Sequence, residues 1–183
     1  MSRKAAFIDR DGVLNEERAF VHRPEDFTLV PGAIEALRLL KEADYRLVVV
    51  TNQSGIARGL YTEADYLALT AHMRSSLEAR GIQLDAVEHC PHLPDAAVDR
   101  YRMECDCRKP KPGMLLRATR ALDIDPGASF LVGDRLSDVE AGRAAGVGRC
   151  FLVRTGYPLS RDAMERADGV YDDLLACVRD VLG

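Results

Sequence analysis

Short apolar runs that alternate with longer helix-like segments are the feature that most constrains the fold of this chain. The runs are rich in Val, Ile, Leu and Ala, and they lack the polar alternation of strands with one face in water. Such strands are typical of a parallel sheet that is covered by helices on both faces. The sequence therefore predicts an α/β fold built on a doubly wound parallel sheet. Its strands are predicted at residues 5–8, 46–50, 86–89, 129–132, 149–153 and 169–171.

Helix starts can be recognised between the predicted strands. Two begin at a proline, which suits the first position of a helix, and two begin at a capping-box pattern. The predicted starts are Pro31, Thr62-x-x-Asp65, Pro112 and Ser137-x-x-Glu140. The second of these helices is expected to reach about residue 80, and the fourth to end near Gly146.

Length and charge narrow the class of protein. We expect the 183 residues to form a single domain, spanning 1–183, without a large cap domain. A net charge of -4 argues against a general nucleic-acid or membrane binder. The chain shows neither a leader pattern nor an apolar run long enough to span a bilayer, so a cytoplasmic protein is expected, with a monomer as the default. Five cysteines then favour metal ligands or free thiols over disulfides.

Two aspartates, Asp9 and Asp11, follow the first predicted strand. Residues i and i+2 of an extended segment point the same way, so the two carboxylates can converge on one centre. Converging carboxylates repel each other unless a divalent cation or a shifted protonation state relieves the repulsion. The pair therefore predicts a metal site, an acid/base pair, or both. The alternative is a solvated turn, because Asp-Gly is a common turn dipeptide.

Polar residues also follow the second and fourth predicted strands. They are Thr51-Asn52-Gln53 and Gly133-Asp134. Ligands of open α/β sheets bind beyond the carboxyl ends of the strands, so these groups are expected to meet the two aspartates there. Asp134 adds a third carboxylate, which suits Mg²⁺, or else it caps the following helix. Asp138 is expected either as a cap or as a support for a metal ligand.

The one long irregular stretch of the chain contains a second candidate metal site. Its ligands are Cys90, His92, Cys105 and Cys107. Three thiolates and one imidazole form a set that is typical of structural Zn²⁺, so residues 90–108 are predicted to be a zinc-binding loop. Because the apolar residues of this loop are few and irregularly spaced, no hydrophobic core is expected to hold it in place. The alternative is four unrelated residues. Cys150 and Cys177 are predicted to be buried thiols.

The polar strand ends resemble the four motifs of the haloacid dehalogenase-like phosphatases, in the usual order. The matching residues are Asp9-x-Asp11-Gly12, Thr51, Lys109 and Gly133-Asp134-x-x-x-Asp138. The resemblance implies phosphoryl transfer through an aspartyl-phosphate, with Mg²⁺ as the catalytic metal. The implied roles are Asp9 as nucleophile, Asp11 as general acid/base, Thr51 and Lys109 as stabilisers of the phosphoryl group, and Asp9, Asp11 and Asp134 as Mg²⁺ ligands.

The loop residues resemble one subgroup of that family, the heptose-1,7-bisphosphate 7-phosphatases and the related histidinol-phosphate phosphatases. Residues 51–59 look more like the heptose enzymes, whereas residues 16–20 depart from their Asp-x-Gly-Tyr pattern. The resemblance implies Mg²⁺-dependent hydrolysis of the C7 phosphate of D-glycero-D-manno-heptose 1,7-bisphosphate, a step towards the nucleotide-activated heptose of lipopolysaccharide precursors. A histidinol-phosphate phosphatase and a catalytically silent zinc-loop binding module are the alternatives. Residues expected to contact the phosphorylated sugar are Glu17, Phe20, Asn52, Gln53, Ser54, Arg108 and Arg135.

Overall fold

The computed structural model describes residues 3–183, and within them six parallel strands form one sheet. The strands are β1 (Ala5–Ile8), β2 (Arg46–Asn52), β3 (Ala86–Cys90), β4 (Phe130–Gly133), β5 (Arg149–Val153) and β6 (Gly169–Tyr171). Their order is β3-β2-β1-β4-β5-β6, so the chain winds outward from β1 to one edge and then from β4 to the other. This is the predicted doubly wound parallel sheet, and its switch point lies between β1 and β4.

Helices pack on both faces of this sheet. The described helices are α1 (Ala33–Glu42), α2 (Ser54–Ala57), α3 (Glu63–Glu78), α4 (Gly113–Leu122), α5 (Leu136–Ala144), α6 (Arg161–Arg166) and α7 (Leu174–Leu182). Adjacent strand residues point to opposite faces, so Ile8 packs in the core with Leu37 of α1 and Val178 of α7. Phe7 packs in the other core with Met114 of α4. The uniformly apolar strands are thus explained by burial on both sides.

Three of the four predicted helix starts are wrong in detail. Pro31 lies two residues before α1, because Gly32 at the N-cap adopts φ +81°, a left-handed conformation that prepares the turn into the helix. Pro112 occupies the N-cap of α4 and not its first helical position. Only the Thr62 capping box is confirmed, with the Asp65 N–H donating to Thr62 Oγ1 at 3.1 Å and the Thr62 N–H donating to Asp65 Oδ2 at 2.8 Å.

The predicted capping box at Ser137 is also displaced. Helix α5 begins at Leu136, and the carboxylate that caps its N-terminus is that of Asp138. This carboxylate accepts the Arg135 N–H at 3.0 Å and the Asp134 N–H at 3.2 Å. A side chain at the third helical position can reach back to the N-cap N–H, which Glu140 cannot do from further along. One of the two roles left open for Asp138, that of a cap, is therefore what the structure shows.

The long loop between β3 and α4 has an apolar anchor, contrary to prediction. Its buried side chains pack with α2 and α3 in a small core separate from the two sheet cores, which we call the satellite cluster. Its members are Ile56, Ala57, Tyr61, Tyr66, Leu93, Ala96 and Tyr101, with Val98 packed against them. Local spacing within the loop did not reveal this anchor, because its partners lie in α2, in α3 and between them, far earlier in the sequence.

Two further predictions, the buried cysteines and the lack of a large cap domain, agree with the structure of residues 3–183. Cys150 and Cys177 are buried free thiols, as predicted. The connections between strands in residues 3–183 contain helices and the one long loop, with no large cap domain. The single-domain span 1–183 stays a prediction. Over the described range, no helix combines the length and the apolar character needed to cross a bilayer.

Candidate active site and metal centres

A cavity of about 490 Å³ opens at the carboxyl ends of β1, β2 and β4. It brings together all the residues predicted as catalytic or substrate-contacting, together with the predicted Mg²⁺ ligands. These are Asp9, Asp11, Glu17, Phe20, Thr51, Asn52, Gln53, Ser54, Arg108, Lys109, Asp134 and Arg135. The residues that line the cavity but had no predicted substrate or catalytic role are Arg58, Tyr61, Pro110, Ser137, Asp138 and Tyr157.

Lys109 lies buried at the floor of the cavity. Its ammonium donates to the Val50 carbonyl at 2.9 Å and forms ion pairs with Asp9 Oδ1 at 2.9 Å and Asp138 Oδ1 at 2.6 Å. Burial lowers the pKa of Lys109, but the charges of Asp138 and Asp9 outweigh burial and raise the pKa above its ordinary value. The side chain is therefore a permanent cation beside Asp9.

The Asn52 side chain fixes the main chain at Lys109. Its Nδ2 donates to the Lys109 carbonyl at 3.1 Å, and its Oδ1 accepts the Lys109 N–H at 3.0 Å. Both ends of this amide are therefore engaged by protein. The Asn52 side chain therefore holds the lysine in register with the end of β2, and its contact with the sugar stays a prediction.

Three carboxylates, those of Asp9, Asp134 and Asp138, have oxygens within 4.8 Å of one another. Burial raises the pKa of Asp9 well above its ordinary value, against the charge of Lys109 and with that of Asp138. Burial and the charge of Asp138 raise the pKa of Asp134 to about 6. Such shifts mean that the ionised cluster is short of positive charge, which a hard divalent cation would supply.

Two glycines leave room for the Asp134 carboxylate. A Cβ at Gly12 or at Gly156 would overlap Asp134 Oδ2. The same oxygen accepts the Tyr157 N–H at 3.0 Å. The loop after β1 and the loop after β5 thus close around one carboxylate, and the residues present suit a Mg²⁺ ion.

Asp11 lies in a different environment from Asp9. Its carboxylate accepts from Arg10 Nη2 at 2.9 Å, Asn15 Nδ2 at 3.0 Å and Gln53 Nε2 at 3.0 Å. Arg10, whose side chain is 1% exposed, is the cation beside the aspartate pair that sequence reasoning overlooked. The compact carboxylate cluster therefore contains Asp138 in place of the Asp11 side chain.

The four predicted zinc ligands come together at the base of the long loop. Ligand atoms of Cys90, His92, Cys105 and Cys107 all lie within 4.8 Å of one another. His92 Nδ1 is 3.3 Å from Cys107 Sγ, and Cys90 Sγ is 3.6 Å from Cys105 Sγ. Hydrogen bonding with Cys90 lowers the pKa of Cys107 to about 5, so this sulfur is available as a thiolate. The donor set suits tetrahedral Zn²⁺.

The outer rim of the cavity is built from exposed or half-buried side chains. Phe20 is 43% exposed, and the Arg135 guanidinium stacks 3.7 Å from the centroid of the Tyr157 ring. Burial and the nearby charge of Asp11 raise the pKa of Glu17. Tyr157 was missed, although its position just past β5 obeys the same strand-end rule that identified Asp134.

Comparisons with known proteins give a consistent result. Residues 6–81 match the model of the haloacid dehalogenase-like hydrolases, and residues 106–177 match a second model described as HAD-hydrolase-like. Curated relatives from Photorhabdus laumondii and from Escherichia coli K12 are each 49% identical over 170 residues, covering 93% of this chain and 90% and 89% of the relatives. Both are named D-glycero-beta-D-manno-heptose-1,7-bisphosphate 7-phosphatase.

Solved structures agree with these relatives. The D,D-heptose 1,7-bisphosphate phosphatase of B. bronchiseptica, complexed with magnesium and phosphate, is 37% identical with a TM-score of 0.83, covering 98% of both chains. The corresponding Burkholderia thailandensis structure is 33% identical with a TM-score of 0.70, covering 99% of both chains.

Proposed function

The chain belongs to the haloacid dehalogenase-like hydrolases, and we propose that it removes the C7 phosphate of D-glycero-D-manno-heptose 1,7-bisphosphate. The observation that carries the proposal is the convergence of Asp9, Lys109 and Asp134 on the floor of one cavity whose rim includes Arg58, Arg108 and Arg135. A floor of this kind suits the phosphoryl group that is transferred, and a cationic rim suits a second anionic group on the same substrate. The names of the 49% identical relatives supply the sugar.

Asp9 is the proposed nucleophile. Its carboxylate oxygen would form a bond to phosphorus as the bond from phosphorus to the sugar oxygen breaks, giving an aspartyl-phosphate. Lys109 lies 2.9 Å from Asp9 Oδ1 and offsets the charge that would otherwise oppose the approach of an anionic phosphate. Thr51, at the end of β2, offers its hydroxyl to the phosphoryl oxygens.

Asp11 is the proposed general acid/base. It would give a proton to the departing sugar alkoxide and later take one from the water that attacks the aspartyl-phosphate. Arg10, Asn15 and Gln53 hold its carboxylate at the edge of the cavity. The proton would therefore be given and taken by a carboxylate whose position the protein fixes.

Asp9, Asp11 and Asp134 are the proposed Mg²⁺ ligands. Of the three, Asp9 and Asp134 belong to the compact carboxylate cluster, while Arg10, Asn15 and Gln53 hold the Asp11 carboxylate beside it. Asp138 supports them, because one of its oxygens caps α5 and the other pairs with Lys109. Bound Mg²⁺ supplies positive charge where phosphate meets the carboxylates. The zinc loop supplies a separate structural site at Cys90, His92, Cys105 and Cys107.

Arg108 is proposed to recognise the second anionic group. It follows the zinc ligand Cys107 directly, so the metal site determines where its main chain lies. Its Nη1 is buried and finds no hydrogen-bond acceptor among residues 3–183. A buried guanidinium nitrogen without a protein acceptor is costly, and a phosphate or hydroxyl oxygen of the substrate would satisfy it.

A substrate panel at fixed Mg²⁺ tests the proposal. It contains both C1 anomers of the heptose bisphosphate, histidinol phosphate and nitrophenyl phosphate. We expect the highest kcat/KM for the bisphosphate, with the beta anomer preferred. A higher kcat/KM for histidinol phosphate than for the bisphosphate would contradict the proposed substrate. Failure to hydrolyse any of the four would favour the silent binding module.

We propose a cytoplasmic monomer that acts on a free phosphorylated sugar and binds neither nucleic acid nor membrane. Light scattering at working concentration tests the oligomeric state, and a mass of two or more chains would contradict it.

A further inference from the structure

The Gln53 side chain connects the cavity floor to the protein interior. The residue is 2% exposed. Its Nε2 donates to Asp11 Oδ2 at 3.0 Å and to Thr51 Oγ1 at 2.8 Å, while its Oε1 accepts from Tyr61 Oη at 2.5 Å and from Arg10 Nη2 at 3.4 Å. Both ends of the amide are thus engaged by protein, so this side chain is suited to positioning its neighbours.

The orientation of that amide matters for Asp11. A glutamine amide can turn over and exchange its oxygen and nitrogen. The turned amide would place Oε1 against the Asp11 carboxylate and Nε2 against the Arg10 guanidinium, so acceptor would meet acceptor and donor would meet donor. The Tyr61 hydroxyl, which donates to Oε1 at the shortest of the four distances, favours the orientation that is observed.

Packing holds the Tyr61 ring in one place. The ring stacks on His22 with centroids 4.9 Å apart and planes 5° from parallel. It also lies against α2 at Gly55, where any Cβ would overlap the ring. The residue is 6% exposed and belongs to the satellite cluster with Leu93 and Tyr101 of the zinc loop. Burial raises the pKa of Tyr61 above its ordinary value, so the hydroxyl remains a donor.

We propose that Tyr61 is a positioning residue for the general acid, acting through Gln53 on the carboxylate of Asp11. The inference rests on the proposed function, because it needs Asp11 to protonate the leaving group. It also gives the apolar part of the zinc loop a route to the chemistry that does not pass through Cys107, Arg108 and Lys109. A general acid that is displaced by about 1 Å loses much of its effect, because proton transfer requires hydrogen-bond distance to the leaving oxygen.

Leaving-group dependence distinguishes this role from a structural one. Tyr61→Phe removes only the hydroxyl. We expect kcat for the heptose bisphosphate, whose alkoxide needs a proton, to fall about tenfold, the effect of losing one well-aligned hydrogen bond. For nitrophenyl phosphate, whose leaving group needs no proton, kcat should change by less than about twofold. KM for the bisphosphate should stay unchanged, and Asp11→Asn should show the same selectivity with a larger loss.

Tyr66→Phe is the matched control. Tyr66 is a buried tyrosine of the same satellite cluster, 2% exposed, and it does not line the cavity. Tyr66→Phe should leave the ratio of kcat for the bisphosphate to kcat for nitrophenyl phosphate as in the wild type. This should hold even where the melting temperature of Tyr66→Phe falls as far as that of Tyr61→Phe. Equal losses on both substrates in Tyr61→Phe, or the same selective loss in Tyr66→Phe, would overturn the inference. A wild-type protein inactive on both substrates would instead overturn the proposed function.

A double-mutant cycle tests the path through Gln53. If Tyr61 acts only through Gln53, then Gln53→Met with Tyr61→Phe should be no slower on the bisphosphate than Gln53→Met alone, within about twofold. If the double variant instead lost kcat by the product of the two single losses, Tyr61 would act by another route, which contradicts the inference. Should Gln53→Met fail to fold, the substrate ratio of Tyr61→Phe decides on its own.

Discussion

The floor and the rim of the cavity are built in opposite ways. On the floor, Asp9, Lys109, Asp134 and Asp138 are all 9% exposed or less. Asp9 and Asp134 follow strands and Asp138 lies in the first turn of α5, whereas Lys109 lies at the end of the loop between β3 and α4. At the rim, Phe20 and Tyr157 are 43% and 39% exposed and lie in loops. The difference indicates where change is tolerated, because a buried charge loses a partner when its neighbour is replaced, whereas an exposed side chain meets water. In the proposed function, the floor performs the chemistry and the rim selects the substrate.

Replacing Asp9 should have the largest effect. We expect Asp9→Asn to lower kcat by at least about a thousandfold on every phosphate substrate, because an amide cannot form the aspartyl-phosphate. The variant should stay folded, since the amide oxygen can still accept from Lys109 Nζ and the Arg10 N–H, both 2.9 Å from Asp9 Oδ1. Steady-state kinetics with a thermal melt measure both expectations.

Asp85→Asn is the matched control for this experiment. The side chains of Asp85 and Asp9 are both 12% exposed, but Asp85 directly precedes β3, where its carboxylate accepts the Leu47 N–H of β2 at 2.8 Å. Its replacement should cost stability and leave kcat unchanged. Retention of more than a few per cent of kcat in Asp9→Asn would place the nucleophile elsewhere.

Loss of a zinc ligand should have the next largest effect, since the zinc loop joins floor to rim through Arg108 and Lys109. Cys107→Ser should raise KM and lower kcat together, reducing kcat/KM about 10- to 100-fold. The sheet should remain folded because the satellite cluster still anchors the loop. Elemental analysis should find one zinc per wild-type chain. Cys177→Ala is the control, because Cys177 is a buried thiol on α7 that faces a sheet core, and its replacement should change neither the zinc content nor the kinetics. Full activity in Cys107→Ser, or wild-type protein without zinc, would contradict the zinc assignment.

Replacing Arg108 should lower kcat/KM for the bisphosphate more than for a monophosphate, whereas replacing a floor residue should impair both substrates alike. Arg108→Ala should lower kcat/KM for the bisphosphate about 10- to 100-fold and for a small monophosphate by less than about threefold, because only the bisphosphate offers a second anionic group. Lys109→Ala should impair both alike. Lys111→Ala is the matched control, because its ammonium pairs with Glu104 at 3.0 Å away from the cavity lining. Equal losses in Arg108→Ala would make Arg108 a partner of the reacting phosphate.

The way the floor is built also explains which features of the site could be predicted from the sequence. The floor was predictable because uniformly apolar strands reveal their own ends, and Asp9 and Asp134 follow such ends. The satellite cluster was not predictable, because Leu93 packs with α2 and α3 residues far away in the chain, and local periodicity carries no information about such contacts. Gln53 could be placed at the end of β2, but its hydrogen bond with Tyr61 depends on the packing of the Tyr61 ring against Gly55 of α2, which the sequence does not reveal.

The smallest effect is expected at the rim, where Ala19 has φ +51°. An L-residue in this left-handed region is strained by about 1 kcal/mol, and glycine relieves the strain while making the unfolded chain more flexible. Residues 16–20 depart from the Asp-x-Gly-Tyr pattern of the heptose enzymes, and a glycine here would suit the observed backbone. Ala19→Gly should therefore change the free energy of unfolding by no more than about 1 kcal/mol, in the stabilising direction.

The control for this backbone effect is Ala97→Gly. Ala97 is also exposed and lies in a loop, but it does not have a positive φ, so glycine there should only destabilise, by about 0.5–1 kcal/mol. Denaturant unfolding of both variants measures the two signs, and kcat/KM of Ala19→Gly should stay within about threefold of wild type because the floor is untouched. Destabilisation of Ala19→Gly to the same extent as Ala97→Gly would show that the rim backbone carries no strain. A loss of kcat/KM beyond that range would show that rim and floor are coupled through residues 17–20.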